Sequence, residues 1–386
     1  MLNINKSNWK EVSLGDVALE YSKRINNPSE SGLEKFIGSD NISQWDFRIT
    51  RWESTDSVTS AMKLFSEGDY LLVRRSLYAS DFRERAPLAD FDGVCSGDIL
   101  TIRENPELVS KGYLIAVLNS VRLWKFIVAN ASGSITRRIK WRDLKGFRLY
   151  LPPVDQQEKI AQLMWSLESL IERREILLKE LETLISVTLK EHFTKKFSER
   201  VMLGDSGKWV SGGTPSKKNP KFWDGDIPWV SPKDMKRDFI DDSIDRITDH
   251  AVDKGASLLP VNSIMVVVRG MILAHSFPVA INTKPVAFNQ DMRALIVNTD
   301  EFIPEYVLLF LQYNKDVMLS MVTETTHGTK RFASEELYST PVPKPTKDQQ
   351  KELISKVMEL KEILSKAKSS IDSSKRLLRS IVSEVN

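Results

Sequence analysis

Two stretches lying 193 residues apart constrain this chain more than anything else in it. "LPPVDQQEKIAQLM" occupies 151–164 and "KPTKDQQKELISKVM" occupies 344–358, so Asp155 and Asp348 are separated by half of the 386 residues. After each Asp-Gln-Gln, neither Gly nor Pro occurs for about 40 residues, the length of a helix of roughly 60 Å. The offset recurs elsewhere: Tyr113 matches Tyr306 and Asp98 matches Asp291, while "SLGDVA" (13–18) matches "MLGDSG" (202–207) with a slip of four. A period this long is no solenoid repeat; it is one globule-plus-helix unit, copied.

Both helical segments carry a heptad seam. Steps of four and three pick out Leu353, Val357, Leu360, Leu364, Ala367, Ile371, Ser374, Leu378, Ile381 and Val385. The same register in the first copy reads Ile160, Met164, Leu167, Ile171, Arg174, Leu178, Leu181, Ile185, Thr188 and His192, so that Arg174 and His192 interrupt it. An amphipathic helix packed on its own domain is the competing explanation. A seam this long exceeds what one small domain covers, and two such seams in one chain satisfy each other most simply as an antiparallel coiled coil. That pairing places two globules at opposite ends of a rod with pseudo-twofold symmetry, a shape suited to a long dyadic ligand such as double-stranded DNA. At the helix starts, Asp155 is the expected N-cap, with Glu158 at capping-box spacing; Asp348 repeats the cap, with Lys351 in place of the Glu.

The boundaries that follow are 1–150 and 201–343 for the globules and 151–200 and 344–386 for the helices. In the globules, "DYLLVRRS" (69–76), "DILTIR" (98–103), "NSIMVVVRG" (262–270) and "RALIVN" (293–298) read as strands, and 107–128 as one helix. The fold class is mixed α/β: in each globule, one sheet with flanking helices. Apolar residues make up 41% and charged residues 28%, a soluble balance whose longest apolar runs are too short to span a bilayer. The start of the chain has no secretory signal pattern, and one cysteine, Cys95, fits a reducing cytoplasm. A net charge of +3 requires that any nucleic-acid contact come from local patches.

Such patches exist. Residues 133–148, "GSITRRIKWRDLKGFR", gather six basic residues around Trp141, and "GTKRFASEEL" (328–337) repeats the Gly-then-basic pattern through Lys330 and Arg331. "TPSKKNPKFWDGDIPWVSPKDMK" (214–236) interleaves lysines with Trp223 and Trp229. Phosphates call for Lys and Arg, and Arg is the commonest reader of guanine edges. The candidates are Arg74, Arg75, Arg83, Arg137, Arg138 and Lys140 in the first globule. In the second they are Lys217, Lys218, Lys221, Arg269, Lys330 and Arg331. Against this, 201–343 holds 15 basic and 18 acidic residues, so contacts there rise from an acidic body.

Catalytic motifs are missing. The four histidines have no metal-ligand spacing, and "GDSGKW" (204–209) is no phosphate loop. "YLPPV" lacks the residues that flank Pro-Pro in amino-methylating enzymes. Asp226 with Asp234-Met235-Lys236 imitates a metal-dependent nuclease without a third carboxylate.

Taken together, "LPPVDQQEKIA", its copy "PKPTKDQQKELI", "SGGTPSKKNPKFWDGDIPWVSPKDM" (211–235), "DFDGVCSGDIL" (90–100) and "AFNQDMRAL" (287–295) resemble the specificity subunit of Type I restriction–modification systems, in the right order over nearly the whole chain. The first globule departs from the pattern, opening with "LEYSKRINNPSE" (19–30). The resemblance implies a non-catalytic subunit in which each globule reads half of a split, non-palindromic DNA target. It implies that the helices set the spacing and dock two methyltransferase subunits, and that motor-nuclease restriction subunits join for cleavage. S-adenosylmethionine, ATP and magnesium would then belong to the partners, and this chain would carry no cofactor. A protein-binding scaffold and a nuclease using Asp226 and Asp234 are the alternatives.

Overall fold

The apolar runs between turn clusters form short strands, and the two Gly- and Pro-free stretches form long helices, Val154–Phe193 and Lys347–Val385. The computed structural model describes residues 6–75, 84–134, 136–324, 328–332 and 334–385. It divides into two units, Met1–Ile176 with Ala367–Asn386, and Leu177–Lys366.

In the first unit, a sheet runs Ala18–Glu20, Ile99–Glu104, Tyr70–Val73. A second runs Arg24–Ile25, Met62–Phe65, Gly93–Cys95, Lys35–Ile37, Glu53–Ser54. Ile37, Phe65, Leu71, Val73, Cys95 and Ile99 pack between them. The 107–128 segment is not one helix but two, Leu114–Leu118 and Val121–Asn130. Asn119 and Ser120 cause the break. The Asn119 amide exchanges hydrogen bonds with the Ala86 backbone, and Ser120 Oγ caps the second helix by accepting from Leu123 N–H at 3.2 Å. Lys10–Ser13 pairs with Arg148–Leu151, closing the globule where the first long helix begins.

The second unit repeats this pairing with different side chains. Phe36 opposite Val94 and Ile37 opposite Cys95, in parallel strands, become Trp229 opposite Ala287 and Val230 opposite Phe288, every residue shifted by 193. Ile99–Glu104 becomes Met292–Val297, and Lys10–Ser13 with Arg148–Leu151 becomes Arg200–Met202 with Pro341–Pro343. Leu64 opposite Val94 becomes Leu258 opposite Ala287. The copy therefore extends through the sheets, where the sequence match is slight. Backbone ladders need only β-compatible residues at alternating positions, and many sequences meet that demand.

The duplicated motif is an internal tie. The second glutamine is buried in both copies: Gln157 and Gln350 are 1% and 0% exposed. Gln157 Nε2 donates to Pro152 O (2.9 Å) and Leu108 O (3.1 Å), while Ser110 N–H donates to its Oε1 (2.9 Å). Gln350 makes the shifted set, to Pro345 O (3.1 Å), Glu301 O (2.9 Å) and from Ile303 N–H (2.8 Å). Only a side chain with both donors and an acceptor can bind this pattern of carbonyls and amide, which is why the glutamine recurs.

The expected caps are corrected. Asp155 lies inside the first turn, where Gln157 N–H bonds to Pro153 O, and it pairs loosely with Lys159 at 3.7 Å. In the second helix Thr346, not Asp348, caps. Its Oγ1 accepts from Gln349 N–H at 3.4 Å, and its own N–H donates to Gln349 Oε1 at 3.0 Å. A Thr–Gln capping box that starts two residues before the Asp satisfies two amides that Asp348 does not reach.

Every seam position is buried or half-buried. Buried are Ile160, Met164, Ile171, Leu181, Ile185, Leu353, Val357, Ile371, Leu378, Ile381 and Val385; Leu167, Leu178, Leu360 and Leu364 are half-buried. In the first unit the two helix segments run antiparallel. Arg174 Nη1 donates to Ser374 Oγ at 3.0 Å, and one turn along each helix Ile171 and Leu378 line the same cavity. The polar interruptions of the two seams thus meet each other. In the second unit Ile185, Leu189, Phe193, Leu353 and Val357 join the sheet core. Gly112 shows how tightly the first long helix sits on its globule. The glycine adopts φ 79°, and a β-carbon there would lie 2.5 Å from Trp165 Nε1.

Candidate nucleic-acid interface

In the first globule the strand ending at Val73 continues into Arg74 and Arg75. Arg74 N–H bonds to Asp98 O at 2.9 Å, and Ile139 N–H bonds to Arg74 O at 3.1 Å. This stitches 138–139 onto the sheet and forms a backbone bridge between Arg75 and Arg138. Ile139 and Leu144, both fully buried, anchor the basic segment from behind. A tight hairpin precedes it, with Ser132 and Arg138 exchanging both backbone hydrogen bonds at 2.9 Å. Its Gly133 holds φ 127°, where a β-carbon would strike Thr136 O at 2.4 Å.

The side chains converge on one carboxylate. Arg75 Nη1 lies 2.6 Å from Asp98 Oδ2 and Arg138 Nη2 lies 3.1 Å from Asp98 Oδ1. Asp98 is only 18% exposed, whereas the two arginine side chains are 43% and 45% exposed. Arg74 Nε donates to Gly97 O at 2.9 Å beside them. Three guanidinium groups thus gather beside one acid.

The second globule rebuilds the same backbone. Val268 N–H bonds to Asp291 O at 2.9 Å, Phe332 N–H bonds to Val268 O at 2.8 Å, and Arg269 bridges Arg331. Phe332 and Leu337 are the buried anchors. The charge network differs. Arg269 and Arg331 are exposed, and among the described residues neither side chain has an ion pair or hydrogen bond. Asp291 Oδ2 instead accepts from Asn289 Nδ2 at 3.4 Å, and Lys330 pairs with Glu324 at 2.5 Å.

The remaining predicted contacts scatter. Arg137 turns inward, donating to Val128 O (3.0 Å) and Ala131 O (2.8 Å) at the end of the Val121–Asn130 helix. Lys140 is exposed beside Arg138. Arg83 lies outside the described residues. Lys217, Lys218 and Lys221 are exposed on a turn braced by Trp223 Nε1 donating to Ser216 O at 3.2 Å, with Lys217 Nζ 6.0 Å from the Trp223 ring. These three lie on a different segment from Arg269 and Arg331.

Of the two nuclease candidates, Asp234 serves the loop it sits in. Asp234 Oδ2 accepts from Ser231 N–H and Oγ, both at 2.8 Å, and its Oδ1 accepts from Ile244 N–H at 2.8 Å, so both oxygens are committed. Asp226 is exposed, and among the described residues no group of three His, Cys, Asp or Glu side chains is arranged to hold a metal. Cys95 is buried, which pushes its thiol up to about 11 and leaves it unreactive. No helix among the described residues is long and apolar enough to cross a membrane.

The family model described as Type I restriction modification DNA specificity domain matches residues 196–373. The Type I restriction enzyme EcoR124I/EcoR124II specificity subunit of Escherichia coli is 31% identical over 218 residues, 54% of this chain and 54% of that one. Over these spans the chain is similar to Type I specificity subunits. A second relative, the MjaIX specificity subunit of Methanocaldococcus jannaschii, is 28% identical over 39% of this chain and 34% of its own length. The match thus spans about half, or less, of the length of these curated relatives. The likeness of fold extends further. The Type-I restriction-modification system S subunit from M. genitalium superposes with a TM-score of 0.65 at 14% identity, covering 100% of this chain and 97% of that one. A chain of the type I R-M system studied for complex assembly and conformational transition gives 0.58 at 17%, covering 98% and 97%. Two mixed α/β globules with two long helices are therefore a fold shared with these solved structures.

Asp98 was visible in the sequence only as a match to Asp291, with nothing to mark it as the acid shared by two arginines. The signal lay in combining the offset, with a slip of one, with the basic segments: Arg138 lies 193 residues before Arg331 and Arg75 lies 194 before Arg269.

Proposed function

We propose that this chain is the non-catalytic DNA-recognition subunit of a Type I restriction–modification complex. Residues 1–150 and 201–343 each read one half of a bipartite, non-palindromic target. The helical segments 151–200 and 344–386 set the spacing and dock two methyltransferase subunits; motor-nuclease restriction subunits complete the assembly. The partners bring S-adenosylmethionine, ATP and magnesium, and the complex works in the cytoplasm.

The observation that carries this reading is the arginine bridge that recurs in both globules. Arg75 with Arg138 and Arg269 with Arg331 sit at equivalent backbone positions while their surroundings differ. A repeated frame presenting paired arginines in two chemically distinct settings is what two unlike readers of one duplex require, since Arg supplies both phosphate and guanine contacts. A protein-binding scaffold would not call for the pairing to be kept.

The test maps methylated adenines in cells expressing the chain with its methyltransferase. The expected result is one split motif, and exchange of residues 1–150 for those of a relative changes one half of it. An exchange that altered both halves, or neither, contradicts the reading.

A further inference from the structure

We infer that Asp98 is a specificity-determining positioning residue, holding Arg75 and Arg138 as a fork that reads an acceptor-rich base edge, that of guanine, in the half-target of the first globule. The inference rests on the assignment of that globule as a DNA reader.

A guanidinium carries five donors, and each of these arginines gives only part of its set to Asp98, through Arg75 Nη1 (2.6 Å) and Arg138 Nη2 (3.1 Å). Asp98 is itself fixed. Its N–H donates to Ser96 Oγ at 3.0 Å, and its carbonyl holds Arg74 N–H at 2.9 Å. The acid, both arginines and their backbone bridge therefore form one rigid cluster. A phosphate contact needs charge near the backbone and tolerates a mobile side chain. Bidentate reading of guanine O6 and N7 needs the plane of the guanidinium held in place, and a buttressing carboxylate supplies that order before binding.

The second globule provides the internal comparison. At the shifted position Asn289 replaces Ser96 and takes the Asp291 carboxylate, and among the described residues Arg269 and Arg331 have no acid partner. The two readers therefore differ in kind: an ordered fork in the first, and two unrestrained cations in the second suited to phosphate contact.

The experiment compares methylation motifs of complexes carrying wild-type chain, Asp98→Asn, Asp98→Glu and the double variant Arg75→Lys/Arg138→Lys, with thermal unfolding of each chain. Asp98→Asn is expected to relax one guanine position in the first half-motif by about tenfold, with the second half unchanged and Asp98→Glu restoring most of the preference. The double lysine variant keeps the charge and loses the planar forks, so it relaxes the same position and serves if Asp98→Asn fails to fold. An unchanged motif in either variant, or equal loosening of both halves, overturns the inference. If the wild-type complex methylates no split motif, the DNA-reading assignment itself falls, a distinguishable outcome.

Discussion

Replacing Gln157 by Ala tests whether the duplicated motif is an internal tie. The substitution removes three hydrogen bonds and leaves Pro152 O, Leu108 O and Ser110 N–H without their partner. At about 1 kcal/mol net for each bond, and more where a partner stays buried, the first unit should lose about 3 kcal/mol, roughly a hundredfold in its local opening equilibrium. Gln157→Glu should do no better, because a carboxylate oxygen then faces two carbonyl oxygens. Gln156→Ala is the control; that side chain is half-buried and accepts one bond, from Trp9 Nε1 at 2.9 Å, so its loss should cost about 1 kcal/mol. Amide hydrogen exchange gives the site-resolved assay. Ser110 should exchange faster in Gln157→Ala while Ile303 is unaffected, and Gln350→Ala should reverse the two. A change below about 0.5 kcal/mol, or one no larger than that of Gln156→Ala, would refute the reasoning.

Other expectations follow from the seam. Changing Arg174 and Ser374 together to Leu should leave the chain as stable or more so by about 1 kcal/mol, whereas Ser374→Leu alone, which strands the Arg174 guanidinium, should be destabilising; chemical denaturation separates the two. His192 is half-buried against Tyr306, 3.3 Å from its hydroxyl, and burial, aided by the Lys195 charge and opposed by Glu352, holds its pKa below the usual range. The neutral ring is therefore the form favoured on folding. Its contribution is present above an unfolded pKa of about 6.5 and is lost as pH falls below it, so the second unit should weaken between pH 7.5 and 5.5, and His192→Gln should flatten that dependence.

Much of this fold was legible because its strongest signals are long-range and periodic. Two heptad seams and a 193-residue offset survive any single substitution, so the helices and the copied architecture could be read directly. What escaped was local chemistry that several residue types can supply. Thr346 outcompetes Asp348 for the cap because Gln349 can return its hydrogen bond. Asn119 and Ser120 split an apolar run whose periodicity alone suggests one helix. The sheets of the first globule align with those of the second although their side chains share little, since pairing constrains the backbone more than its identities. The basic residues were visible as charge, but burial and backbone bridges separate Arg138, on the surface, from Arg137, which closes a helix end. Only the pairing across the strands joins Arg75, 63 residues upstream, to Arg138.

The central claim, two readers on one copied frame, is tested most directly by hydroxyl-radical footprinting of the chain with the proposed methyltransferase partner on a duplex carrying the motif that complex methylates. The account predicts two protected patches separated by an unprotected gap, with Arg75→Ala/Arg138→Ala erasing one and Arg269→Ala/Arg331→Ala erasing the other. A single continuous patch, or loss of both patches from either pair of substitutions, would contradict it.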